Sequence, residues 1–106
     1  MAEQPIERAG LQVHGDTLTL SGEISFATVN PLVAKGREAI GALSLDNAVL
    51  DLSAVSKTDS AGLALVVDWV RSARHRRVDL RIVGVSAQLA DIARVSGLED
   101  FLAGAG

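Results

Sequence analysis

Segments of helical period alternate with short apolar runs along this chain, and that alternation limits the fold more than any single residue does. In "SFATVNPLVAKGREAIGAL" (25–43), Val29, Leu32, Val33, Gly36 and Ile40 recur at helical spacing, with Thr28 placed as N-cap and Pro31 in the first turn, where a missing N–H costs nothing. "SAGLALVVDWVRSARHRR" (60–77) is a second helix. "SAQLADIARVSGLEDFL" (86–102) is a third, capped by Ser86 and stopped by Gly97 with Leu98 as its hydrophobic contact. Between them lie "AVLDLS" (48–53) and "DLRIVG" (79–84), short enough and apolar enough to be buried strands. Ahead of all of them, "LQVHGDTLTLSG" alternates at Leu11, Val13, Leu18 and Leu20 around Gly15-Asp16, the pattern of a hairpin. Strand, strand, helix, strand, helix, strand, helix predicts an α/β domain: a mixed four-stranded sheet, parallel through right-handed crossovers, with the hairpin adding an antiparallel strand and three or four helices covering it.

At 106 residues and 48% hydrophobic content the chain has room and material for one domain, 1–106, with its core at about 9–102. Residues 1 to about 9 and the tail "AGAG" (103–106) read as loose ends. A net charge of -3 gives no reason to expect nucleic acid. There is no cysteine, so disulfides, thiolate metal sites and cysteine nucleophiles are excluded, and His14 and His75 have no second ligand at metal spacing. No stretch has the composition of a secretion signal or a membrane span, which makes a soluble cytoplasmic protein the expectation.

The second helix has an apolar surface wider than one stripe. On a helical wheel Leu63, Val66, Val67 and Val70 share one face, assigned to the sheet. Leu65 and Trp69 fall at about 200° and 240° from Leu63, with Ala61 and Ser72 as small neighbours. Trp69 is the only tryptophan in a chain with 3% aromatic residues. Two readings compete for this second stripe: the last helix or "DFL" (100–102) folds over it, or it stays exposed as the apolar centre of a protein-binding patch. The patch is the reading adopted. At the start of the same helix, Asp59 and Ser60 are either N-caps or a polar contact for a partner, with the free N–H groups and partial positive charge of the helix end beside them. Gly62 in the first turn costs up to about 1 kcal/mol against alanine, and close approach by another backbone is a reason to keep it.

The run "RSARHRR" (71–77) invites a membrane reading. Its arginines point in scattered directions, and cations in a last turn are favoured by the helix dipole, with contact to acidic residues of a partner as the alternative. Catalysis has little support. Asp51 lies in a strand and Asp59 in a loop without a positioned His, Cys or ligand set, and no glycine-rich phosphate loop is present.

"VLDLSAVSKTDSAGLALVVDWV" resembles the signature of STAS domains: an apolar strand ending in Asp-Leu-Ser, a loop, Asp-Ser-x-Gly-Leu, then an apolar helix. The resemblance runs from "GDTLTLSGEI" to "ARVSGLEDFL" and implies a single STAS domain of the anti-sigma factor antagonist type. Within the family the chain is most similar to the small accessory subunits of phospholipid-transporting ABC complexes. That likeness implies a non-enzymatic, cofactor-free protein, cytoplasmic and held at the inner membrane by its partner, which binds the transporter's ATPase subunit and supports intermembrane phospholipid transport and outer-membrane lipid asymmetry. Asp59, Ser60, Ala61, Gly62, Leu65 and Trp69 would make the contact. The other branch is a phosphorylation-controlled partner switch, in which the hydroxyl directly before the glycine accepts phosphate. Ala61 stands at that place here, leaving Ser60 as the candidate for modification.

Overall fold

The computed structural model describes residues 8–43 and 46–102; apart from Arg8 and Ala9, the expected loose ends lie outside the described residues. Strands β1 (Gly10–His14) and β2 (Thr17–Ile24) form the hairpin, joined at Gly15-Asp16, with Gly15 at φ +61 in the first loop position, where tight two-residue turns need a positive φ. Helix α1 (Asn30–Ala42), strand β3 (Asn47–Thr58), helix α2 (Ser60–His75), strand β4 (Asp79–Val83) and helix α3 (Ala87–Ser96) follow, and a 3₁₀ turn spans Glu99–Phe101.

The sheet order is β1-β2-β3-β4, with β1 antiparallel to β2 and the other two pairings parallel. Because the order steps in one direction, crossovers of one hand lay the helices on one face. Burial agrees. Leu18, Leu20 and Ile24 of β2, Ala48, Leu50 and Leu52 of β3, and Leu80 and Ile82 of β4 are buried beneath the helices, while Thr19, Val49, Asp51 and Arg81 alternate onto an open face. The "AVLDLS" segment is therefore buried on one side only.

β3 runs on to Thr58 instead of stopping at Ser53. Two register shifts against β2 absorb extra residues, after Asp51 and again between Val55 and Lys57. At the first, the Asp51 carboxylate accepts hydrogen bonds from the Ser53 N–H at 2.9 Å and the Ser53 hydroxyl at 2.5 Å, so the backbone group freed by the irregularity keeps a partner. Those bonds hold the Asp51 carboxyl below its ordinary pKa, the hydroxyl contributing most.

Two caps follow the sequence reading: Ser86 accepts from the Leu89 N–H, and Gly97 at φ +72 ends α3 with Leu98 N–H returning to the Ala93 carbonyl. Thr28 differs. Its hydroxyl accepts from the Ser25 N–H and donates to the Glu23 carbonyl, closing a turn that precedes α1, and α1 opens at Val29 without a side-chain cap.

Candidate functional site

The far side of α2 is covered by α1, which corrects the expectation for Leu65 and Trp69. Trp69 is 0% exposed and Leu65 3%. The indole lies against Gly36, where a Cβ would fall inside the ring's van der Waals envelope, and its Nε1–H donates to the Val33 carbonyl at 3.3 Å. A wheel gives the direction of a side chain but not the element waiting there. The covering element is neither open solvent nor the chain's end: Phe101 instead sits beside Arg71 and Arg74. Gly62 is buried as well. A Cβ there would meet the Thr58 hydroxyl, then the Ile24 carbonyl, so the side chain of Thr58 and the backbone of β2 both require the glycine.

What remains at the surface is the first turn of α2. Asp59 is its N-cap, with Oδ1 accepting from the Ala61 N–H at 2.8 Å. Oδ2 accepts from the Phe26 N–H at 3.3 Å, so one carboxylate ties the loop between β2 and α1 to the start of α2. Phe26 is thereby held beside the helix, 81% exposed. Ser60, at the first helical position, is exposed, and Ala61 is half-buried.

Phe26, Val29, Val33, Ser60, Ala61, Ala64, Leu65 and Asp68 line an apolar groove of about 380 Å³ between α1 and α2. Leu65 forms part of its floor. At one rim Asp68 is gripped by Arg37 through two hydrogen bonds, 2.9 and 2.6 Å, which fasten α1 to α2. On the other side of Ser60 a second groove of about 530 Å³ is lined by Thr58, Asp59, Gln88, Asp91, Ile92, Val95 and Ser96, and Val95 is 85% exposed. The turn carrying Ser60 thus forms a ridge between two grooves.

Of the six residues expected to meet a partner, Asp59, Ser60, Ala61 and Leu65 come together at the ridge and first groove, and Gly62 and Trp69 lie inside the domain. Phe26 and Val95 were missed. Each is an apolar residue outside the core-facing period of its segment, the one signal that could have found them. Among the described residues no cluster of three or more His, Asp or Glu is placed to hold a metal ion, and no helix is long and apolar enough to cross a membrane.

The strand, capped helix start and buried glycine are the structural counterpart of "DLSAVSKTDSAGL", and a family profile described as "Mlab, STAS domain" matches residues 8–103. The chain belongs to that family. It is 33% identical over 97 residues to the intermembrane phospholipid transport system binding protein MlaB of Haemophilus influenzae, covering 88% of this chain and 92% of the relative. It is 32% identical over 84 residues to the protein of the same name from Escherichia coli K12, covering 79% and 82%. The fold of this STAS domain is also that of the anti-sigma factor antagonist SpoIIAA in its unphosphorylated form, with a TM-score of 0.68 at 22% identity over 89% of this chain and 84% of the other. A putative anti-sigma factor antagonist from Thermotoga maritima gives 0.69 at 14% identity, over 90% and 83%.

Proposed function

We propose that this STAS domain is a non-catalytic accessory subunit of an intermembrane phospholipid transport system, and that it docks on the ATPase subunit of an ABC transporter through the first turn of α2. The names of the curated relatives support the transport system. The observation that carries the docking is the groove beside Ser60: apolar, open, rimmed by an exposed Phe26, and held in shape by Asp59 below and the Arg37–Asp68 pair across it. An exposed aromatic next to a pocket with small side chains is the composition of a protein-binding anchor point. Docking there places the domain in the cytoplasm, at the inner membrane through its partner, in support of outer-membrane lipid asymmetry.

Co-expression of the tagged chain with the ATPase subunit of the same cells tests this. The wild type should retain the ATPase on affinity capture. Phe26→Ser and Ala64→Glu should lose it without losing their fold, and full retention by both would overturn the docking site.

A phosphorylation switch is the second reading, favoured by one observation: the Ser60 hydroxyl is exposed at a helix N-terminus, where a phosphate is electrostatically welcome. Intact-mass measurement of the chain isolated from its own cells, with fragmentation to locate any phosphate, decides between the two. Phosphate on Ser60 supports the switch.

A further inference from the structure

The opposite end of α2 carries a feature that docking does not use. Arg71, Arg74, His75, Arg76 and Arg77 fall within seven residues, all exposed. Among the described residues the ion pairs within 4 Å are Arg37–Asp68 and Arg94–Asp91, so none of these four arginines, nor His75, is paired with a described residue. Glu99 and Asp100 beside Phe101, and Asp79 and Asp46 next to the end of α2, are exposed and reduce the local charge without pairing to these side chains.

Two further observations set this cluster apart from a helix end served by its dipole. The guanidinium carbons of Arg71 and Arg74 lie 5.5 and 5.2 Å from the centre of the same Phe101 ring. Cation–π attraction holds them there, yet it brings two like charges to one place with neither in an ion pair with a described carboxylate. Arg77 has φ +60, the only non-glycine residue at positive φ among the described residues. Glycine adopts that conformation freely and an L side chain does not, while Arg74 and His75 already serve the dipole in the last turn. That conformation is the left-handed stop of α2, closed by the Arg77 N–H to the Arg74 carbonyl and the Val78 N–H to the Ala73 carbonyl, and an arginine occupies it where glycine is the usual residue.

We propose that the C-terminal end of α2 contacts the phosphate headgroups of an anionic membrane surface. Guanidinium groups suit phosphate oxygens, which they meet with paired donors. The arginines ring the helix end: Arg71 and Arg74 face Phe101, and Arg76 lies against Gly41 at the end of α1. One small anion cannot reach all of them, whereas a plane of headgroups can. Arg71, Arg74 and Arg77 line neither groove beside Ser60, and the helix holds the two ends about 24 Å apart, so both can be occupied at once. The inference stands on these arginines and does not depend on docking to the ATPase.

Co-sedimentation of the full chain with phosphatidylcholine vesicles, with and without phosphatidylglycerol, tests it. Binding is expected only with phosphatidylglycerol and should vanish in high salt. It should weaken about fivefold for each arginine charge removed, in Arg77→Gly and again in Arg71→Gln with Arg74→Gln. Arg77→Gly keeps the measurement clear of unfolding, because glycine suits φ +60 and its melting temperature should hold or rise. Wild-type protein left in the supernatant would overturn the proposal, as would equal binding by Arg77→Gly and the double variant. A melting temperature raised by inorganic phosphate alone, or capture by polyglutamate and not by vesicles, would also overturn it by assigning the cluster to a free anion or an acidic polypeptide.

Discussion

The indole of Trp69 rests on Gly36, and its N–H is satisfied by the carbonyl of Val33 on the same helix. Gly36→Ala gains up to about 1 kcal/mol of helix propensity. It also forces a methyl into a rigid, fully buried ring that cannot swing away, a cost of about 1–3 kcal/mol or more. The clash wins. Chemical denaturation should find Gly36→Ala less stable than wild type, and Trp69→Ala less stable by about 3–5 kcal/mol. The tryptophan emission should be blue-shifted and poorly quenched by iodide in the native protein.

Gly62 and Thr58 form a similar pair at the site itself. Gly62→Ala sets a Cβ against the Thr58 hydroxyl, with a cost of about 1–3 kcal/mol. Removing that hydroxyl in Gly62→Ala/Thr58→Ala should recover part of the loss, so a double-mutant cycle in urea should find the double variant less destabilised than the sum of the two single changes.

Asp59 and Ser60 should separate by stability. Asp59→Ala removes the cap and is expected to cost about 1 kcal/mol, with added mobility at Phe26, whose N–H loses its acceptor. Ser60→Ala touches neither bond and should stay within about 0.5 kcal/mol of wild type in thermal unfolding.

Acid sensitivity should trace partly to Asp51. Its folded-state pKa is lowered by the Ser53 hydroxyl and N–H, so the unfolded chain takes up the proton first. The associated stability is complete above the unfolded value, about 3.9, and is lost as pH falls through the lower folded one. Stability measured from neutral to strongly acid pH should fall less in Ser53→Ala than in wild type over that acid range.

Most of the fold was readable because each element carries its own periodicity and punctuation: Gly15 at the hairpin, Pro31 in α1, Ser86 and Gly97 around α3. The extra length of β3 was not. "AVSKT" has no clean alternation, since register shifts move its side chains from face to face. Thr28 has a capping residue's chemistry but spends it one turn early, on Ser25 and Glu23. The wheel placed Leu65 and Trp69 on the correct side of α2 and failed on what lies opposite, a matter of tertiary packing. Gly36 was the available clue: a small residue on the apolar face of α1 leaves a gap that a large ring can fill. The site was half legible, in its polar start, while Gly62 serves packing inside the domain and Phe26 is brought to the site by the Asp59 carboxylate from 33 residues away in sequence.

The affinity of the purified ATPase subunit for this domain is the most direct measure of whether the first groove is the docking surface. Titrated against wild type, Phe26→Ser and Ala64→Glu, with Ser60→Ala beside them, it should fall at least about tenfold for the first two, the size of a lost interface anchor. Their melting temperatures should stay at the wild-type value. Equal affinity across the series, with every variant folded, would contradict the assignment of the groove.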